Sequence, residues 1–554
     1  MEKIPHNEYP RPQMMRDSFL CLNGKWKFKT SKSEEIPVDF DREILVPFPP
    51  QSALSGINET FDNDSVFYYK RSFTLPNDFV KDRVCLHFGA VDSYCEVYLN
   101  DRLIGEHTGG YDAFSFDITD ALCEENTLIV KCKDDLNSHI LPYGKQTHKR
   151  GGMWYTSVSG IWQTVWLEST AKQYISALKI TPSLDSVKIS VYGVKSAEIT
   201  IKTENGEIKS TAAPTTEISI PNPKNWSPEN PYLYRFCVKS KDDTVYSYFA
   251  LRTVDIREID GKKRICLNGK PYFFHALLDQ GYFPDGIFTP AELCAYTNDI
   301  LEMKRLGFNT LRKHIKVEPE RFYYDCDRLG MLVFQDMVNN GHYSFIRDTA
   351  LPTINLKKLN DKNMHRDNEG RAQFVLGAKK TVKQLYNHPC ICYWTIFNEG
   401  WGQFSSQDMY TLFKSLDDTR IIDTASGWFK GADSDVESEH IYFKPFKYVN
   451  ADKPTVLSEF GGYSYKEAGH VFNTKNTYGY RFFKDREEFE SALIKLYENE
   501  IIPAAQMGLC GAVYTQLSDV EDETNGILTY DRRVCKVNGV KMRSLADKLY
   551  KAVK

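Results

Sequence analysis

Apolar and polar positions alternate with a period of two along the first part of the chain. Tyr68–Leu75, Val84–Phe88, Cys95–Leu99 and Thr127–Cys132 are short runs of this kind, separated by turn residues. Such spacing marks half-buried strands. Asn100-Asp101, between Val97-Tyr98-Leu99 and Leu103-Ile104, reads as a hairpin turn. No helical period of useful length appears before about residue 168, so residues 1–168 are expected to form a β-sandwich or jelly roll. The alternation continues in shorter pieces over residues 169–257, at Ile175–Ile180, Val187–Val191, Ala197–Thr203 and Tyr232–Val238. These fit a second, smaller sandwich of about seven strands.

From residue 258 to 554 strand-like and helix-like patterns take turns. Candidate strands are Pro271–Ala276, Phe308–Arg312, Met331–Gln335, Ile391–Phe397, Ile421–Thr424, His440–Tyr442, Thr455–Ser458 and Ala512–Gln516. Thr289-Pro290-Ala291-Glu292 predicts a capped helix start, with Gly307 as its stop. A second helix is expected near Glu318–Leu329. Eight strands alternating with helices predict a (β/α)₈ barrel. A doubly wound sheet is the runner-up, disfavoured because no glycine-rich phosphate loop is present.

Composition narrows the function classes. At 554 residues the chain exceeds one hydrophobic core, consistent with several domains. The net charge of −4 comes without a basic stripe, which excludes a nucleic-acid partner. No apolar run reaches the ~20 residues of a membrane span. The N-terminal stretch is polar and lacks a signal-peptide core, so a cytoplasmic location is expected unless a leader was removed. The 13 cysteines form no C-x-x-C pair, which points to reduced thiols rather than a disulfide framework or a zinc site.

Two acidic residues sit where a barrel carries its chemistry, at the carboxyl ends of strands. Glu399 follows Ile391–Phe397 and Asn398, and Glu459 closes Thr455–Ser458. The chain between them holds two further strands, which places the pair on strands four and seven. Facing carboxylates suit glycoside cleavage: one protonates the leaving oxygen and the other attacks the anomeric carbon, with retention if the carboxyls lie about 5–5.5 Å apart. A glutamate at a strand end also serves as an ordinary salt-bridge partner. Pattern alone leaves both readings open.

The motifs around these residues resemble glycoside hydrolase family two, the family of β-galactosidases, β-glucuronidases and β-mannosidases. Asn387-His388-Pro389-Cys390-Ile391, Trp394 and Asn398-Glu399 resemble its acid/base signature, and Ser458-Glu459-Phe460-Gly461-Gly462 its nucleophile segment. Gly24-Lys25-Trp26, Val46-Pro47-Phe48 and Ser159-Gly160-Ile161-Trp162-Gln163 resemble its N-terminal sugar-binding sandwich, and Trp226–Tyr234 its immunoglobulin-like domain. Arg312-Lys313-His314 and Asp327–Val333 match its second and third barrel strands. The resemblance covers nearly the whole chain in order. It implies a jelly-roll sandwich, an immunoglobulin-like sandwich and a C-terminal TIM barrel.

The same resemblance implies Glu399 as acid/base and Glu459 as nucleophile of a retaining exo-β-glycosidase, with a carbohydrate substrate and no cofactor. Asn398 is expected to bond the sugar 2-hydroxyl, and Tyr442 to donate to Glu459. Arg312, His314, Asp279, Gln516 and Trp428, with Trp401, are further substrate-binding candidates. Each also has a plain structural reading: a packed tyrosine, a buried histidine, a loop acid, an arginine paired within the barrel wall, a core tryptophan. The family's glucuronidases carry an Asn-x-Lys loop after strand eight. Here Asp519–Gly526 is acidic, which predicts repulsion of a uronate. Asn473-Thr474-Lys475 follows strand seven instead, and Gln516 stands where many members place tryptophan. A β-galactoside is the leading expectation, with a β-glucuronide or another uronide as the alternative. A non-catalytic carbohydrate-binding protein is the reading from another class. A metal-dependent hydrolase would draw on His314, His440 and Asp336, but no H-x-H or H-E-x-x-H spacing is present, so no metal is expected. A homo-oligomer is compatible with the sequence.

Overall fold

The computed structural model describes residues 3–354, 356, 361 and 364–553. Three hydrophobic cores organise it. The first lies between a six-stranded antiparallel sheet, running from Arg42–Val46 to Arg102–Thr108, and a four-stranded sheet containing Val165–Thr170 and Arg83–Phe88. Strand Gly24–Ser31 shows why the alternation was legible: Trp26 and Phe28 enter the core while Lys25 and Lys27 face water. Asn100 and Asp101 take φ of 51° and 64°, the left-handed pair that a tight hairpin between Tyr94–Leu99 and Arg102–Thr108 requires. The second core fills a sandwich of one three-stranded and one four-stranded sheet, seven strands in the described residues.

The third and largest core belongs to an eight-stranded parallel barrel. Its strands are β1 (Phe274–Asp279), β2 (Thr310–Lys313), β3 (Leu332–Asp336), β4 (Ile391–Asn398), β5 (Ile421–Ser426), β6 (Glu437–Ile441), β7 (Thr455–Gly461) and β8 (Gly511–Thr515). They pair in the order β5-β4-β3-β2-β1-β8-β7-β6. No ladder joins β5 to β6 among the described residues; side chains bridge that seam, with Ser426 Oγ 3.2 Å from Ser438 Oγ. Seven of the strands are buried on both faces, as a barrel wrapped by helices demands, while β6 alternates between half-buried and buried positions. No helix among the described residues is long and apolar enough to cross a membrane.

Two local expectations are corrected. The first barrel strand starts at Phe274 rather than Pro271, because Lys270–Pro271 pairs with the separate strand Lys262–Leu267. The first barrel helix starts at Cys294, not at Thr289. The Thr289 hydroxyl donates instead to the Trp162 carbonyl of the first sandwich at 2.6 Å, and Glu292 pairs with Lys3. Gly307 does end that helix, at φ 96°.

The first sandwich reaches over the carboxyl ends of the barrel strands. In its segment 143–156, the Tyr143 and Gly144 amides both donate to the Asn339 carbonyl, at 3.0 and 3.2 Å. Gly144 adopts φ +64°, and an added Cβ would stand 2.8 Å from the Ile315 carbonyl oxygen, so only glycine permits this approach to the end of β2. The Thr156 amide donates to Glu521 at 3.0 Å, and the Tyr155 hydroxyl donates to Glu523.

Candidate active site

Glu399 stands just past the end of β4, in left-handed backbone at φ 55°, with its amide donating to the Ser426 carbonyl at 2.9 Å. Non-glycine residues adopt this conformation at a cost of about 1–2 kcal/mol, and such strain gathers at functional sites. Glu459 lies within β7. His440, near the end of β6, sits between them: its Nδ1 is 2.8 Å from Glu399 Oε1 and 3.6 Å from Glu459 Oε2. One oxygen of each carboxylate and a His440 ring nitrogen all fall within 4.8 Å of one another.

Arg312 fixes the floor of this gap. From β2 its Nε donates to Asp336 at 3.0 Å, and its Nη1 to Glu459 Oε1 and the Ser458 carbonyl, both at 3.0 Å. Its Nη2 donates to Asn398 Oδ1 at 2.9 Å, leaving the Asn398 amide hydrogens for another acceptor. Tyr442 donates its hydroxyl to Glu459 Oε2 and stacks on Tyr480 with ring centroids 3.7 Å apart. The two oxygens of Glu459 are thus held from opposite sides.

The His440 tautomer follows from its neighbours. Arg312 Nη1 approaches Nε2 at 3.4 Å, and a guanidinium only donates, so Nε2 is the acceptor. Nδ1 therefore carries the proton and donates it toward Glu399. Burial pushes the His440 imidazole down to about 3, so it is neutral near pH 7. Burial pushes the Glu399 carboxyl above its ordinary range, against the opposing fields of Lys145, His314 and Arg312.

Five other sequence candidates have defined partners. His314 comes to the site and bonds Asp336 at 2.8 Å. Gln516 lies at the end of β8, accepting from Gln280 at 2.9 Å and donating to Asn525 and Glu523. Trp428 is buried behind Glu399, its indole N–H 2.9 Å from the Glu399 carbonyl. Trp401 donates to the Gly341 carbonyl at 3.1 Å and packs against Trp154, with centroids 5.1 Å apart. Asp279 has both oxygens engaged, by Lys313 at 2.6 Å and by the Gly281 amide at 2.9 Å.

The acidic run after β8 is compensated residue by residue. Asp519 pairs with Lys536 at 2.6 Å and Asp522 with Arg150 at 3.1 Å, while Glu521 and Glu523 accept from Thr156 and Tyr155. It does not act as one block of negative charge. Burial pushes the Glu523 carboxyl up to about 7.

Sequence reasoning passed over His440 as part of the carboxylate pair, considering it only as a metal ligand. Its signal was its position two residues before Tyr442, where alternate strand residues share a face. Tyr480 and the contribution of segment 143–156 carried no local signal. Glu399, His440 and Glu459 are also the one His/Cys/Asp/Glu group of metal-ligand size among the described residues. A cation there would displace the His440 proton and compete with Arg312 and Tyr442 for the same oxygens.

Three family models match the chain. The model described as glycosyl hydrolases family 2, TIM barrel domain, covers residues 261–544. The glycosyl hydrolase 2 galactose-binding domain-like model covers 54–156, and a further glycosyl hydrolases family 2 model covers 165–252. A β-galactosidase of Thermoanaerobacter pseudethanolicus is 26% identical over 441 residues, spanning 72% of this chain and 53% of its own. A β-glucuronidase of Bacteroides fragilis is 23% identical over 414 residues, spanning 69% and 56%. The chain spans about half the length of these relatives. Among solved structures, a β-galacturonidase of Eisenbergiella tayi bound to galacturonate superposes with a TM-score of 0.71 at 19% identity, covering 99% of both chains. A β-glucuronidase of an uncultured Clostridium sp. superposes at 0.75 and 19%, again over 99% of both.

Proposed function

Since the chain belongs to glycosyl hydrolases family 2, we propose that it hydrolyses terminal β-glycosidic bonds with retention of anomeric configuration, using Glu459 as nucleophile and Glu399 as acid/base. The observation that carries the reading is the approach of the two carboxylates within 4.8 Å, with His440 between them. An approach this close favours the ~5–5.5 Å carboxyl separation of double displacement over the wider gap of inversion.

In the first step Glu459 attacks the anomeric carbon as the bond to the leaving oxygen breaks, and Glu399 gives that oxygen its proton. The product is a glycosyl ester on Glu459 and a free alcohol. In the second step Glu399, now a carboxylate, takes a proton from water as the water oxygen displaces Glu459. Burial keeps Glu399 protonated to higher pH than an exposed glutamate, which suits the first step. The His440 N–H supports the carboxylate form required in the second. Asn398, with its oxygen tied to Arg312, presents amide hydrogens to the sugar 2-hydroxyl.

Residues 258–554 supply this machinery, residues 1–168 the cover over the strand ends, and residues 169–257 a spacer. The glycone is a terminal hexose or its uronic acid, in keeping with the β-galactosidases and β-glucuronidases among the relatives. Proton NMR of aryl glycoside hydrolysis tests the proposal. The β-anomer appears first and mutarotates later if the account holds, whereas first release of the α-anomer contradicts it.

A further inference from the structure

We infer that Lys145, carried by the first sandwich, binds a carboxylate on the substrate's glycone, so that the preferred substrate is a β-linked uronic acid. The inference rests on the glycosidase reading above and narrows its sugar.

Geometry places Lys145 at the mouth of the site. Its backbone follows Gly144, which is pressed against the Ile315 carbonyl just beyond His314. Its carbonyl accepts from the Tyr155 amide at 3.0 Å, and the Tyr155 hydroxyl holds Glu523. Its ammonium lies 5.7 Å from the centre of the Trp154 ring. Trp154 packs against Trp401, two residues beyond Glu399, and against Tyr343, each at 5.1 Å. Lys145 is thereby bracketed by the acid/base wall on one side and the strand-eight loop on the other. Its field reaches Glu399, His314 and Glu523, which agrees with that position.

Five other cations near the strand ends are occupied. Arg312 serves Asp336 and Glu459, and Lys313 serves Asp279 and Glu318. Lys316 serves Glu318, Arg150 serves Asp522, and Lys536 serves Asp519. Lys145 is half-buried, and among the described residues its ammonium has only the Trp154 face as a partner. A half-desolvated cation near the strand ends gains most from an anionic ligand group. Glu523, bonded through Tyr155 and Gln516 to the same wall, is protonated below about pH 7 and in that state can donate to the same carboxylate. The acidic run therefore does not bar a uronate.

Nitrophenyl β-galacturonide and β-glucuronide, compared with the matching β-galactoside and β-glucoside, test this on the full chain and on Lys145→Met and Lys145→Arg. The wild type is expected to prefer the uronide. Lys145→Met is expected to lower the uronide-to-hexoside ratio of kcat/KM by about 10- to 100-fold, the value of one charge-assisted hydrogen bond. Lys145→Arg is expected to restore part of that ratio, which a merely structural role for Lys145 does not predict. A wild type that prefers the hexoside, or a ratio unchanged in Lys145→Met, overturns the inference and leaves the glycosidase reading intact. Cleavage of none of the four substrates overturns the inference, and failure on the β-mannoside as well overturns both.

Discussion

Arg312→Met tests how the pair of glutamates is held. Arg312 is 1% exposed and joins Asp336, Glu459, Asn398 and the Ser458 carbonyl through contacts of 2.9–3.0 Å. Methionine fills comparable volume but leaves two buried carboxylates without their cation. Breaking a buried ion pair from one side costs about 3–5 kcal/mol. Taking the barrel unit as residues 258–554, unfolding entropy of about 2.1 cal/mol/K per residue converts this to a fall of roughly 5–8 °C in Tm. The penalty depends on pH with a definite sign. Burial alone would raise the Asp336 carboxyl, but Arg312 and His314 outweigh it and hold it below its ordinary range. A depressed carboxyl contributes stability that is present above its unfolded pKa of about 4 and lost as pH falls through the folded value. Thermal melts of both proteins at pH 7 and pH 3 are the assay. The gap in Tm is expected to be full at pH 7 and smaller at pH 3. A gap below about 1 °C at pH 7, or one that widens in acid, refutes the reasoning.

Other outcomes follow from the same geometry. Glu399→Ala should slow hydrolysis of poor leaving groups by about 10²–10⁴-fold while sparing dinitrophenyl glycosides in the first step, and added azide should then yield a β-glycosyl azide detectable by mass spectrometry. The basic limb of kcat/KM should lie above the ordinary glutamate range, because burial raises Glu399 and activity falls as its proton leaves; a limb at the ordinary value of about 4.3 contradicts that cause. Replacing His440 with phenylalanine removes a donor to the Glu399 carboxylate, so the same limb should move to still higher pH; a shift to lower pH contradicts the assigned tautomer.

Much of this architecture could be read before the structure, for identifiable reasons. The largely apolar run Ile391–Phe397 and the abrupt polarity of Asn398-Glu399 mark the end of a buried strand, and β4 runs Ile391–Asn398. Glu459 was legible in the same way. The role of Tyr442 came from the family resemblance, and its hydroxyl does meet Glu459. What escaped the sequence is long-range. The Thr289 hydroxyl looked like a helix cap until the Trp162 carbonyl, from another domain, took it. Pro271 looked like barrel until a local hairpin claimed it. The acidic residues after β8 looked like one repulsive surface, yet Lys536, Arg150, Thr156 and Tyr155 meet them one by one. Lys145 lies more than 250 residues before Glu399, and only the docking of segment 143–156 on Asn339 and Ile315 brings it to the site.

The most direct test of the central claim is covalent trapping. Incubation with a 2-deoxy-2-fluoro glycosyl fluoride of the preferred sugar, then proteolysis and mass spectrometry, should place one fluorosugar on the peptide Thr455–Gly461, esterified to Glu459. Glu459→Gln should take up none. A label on Glu399, or unimpaired labelling of Glu459→Gln, contradicts the assignment of these two carboxylates.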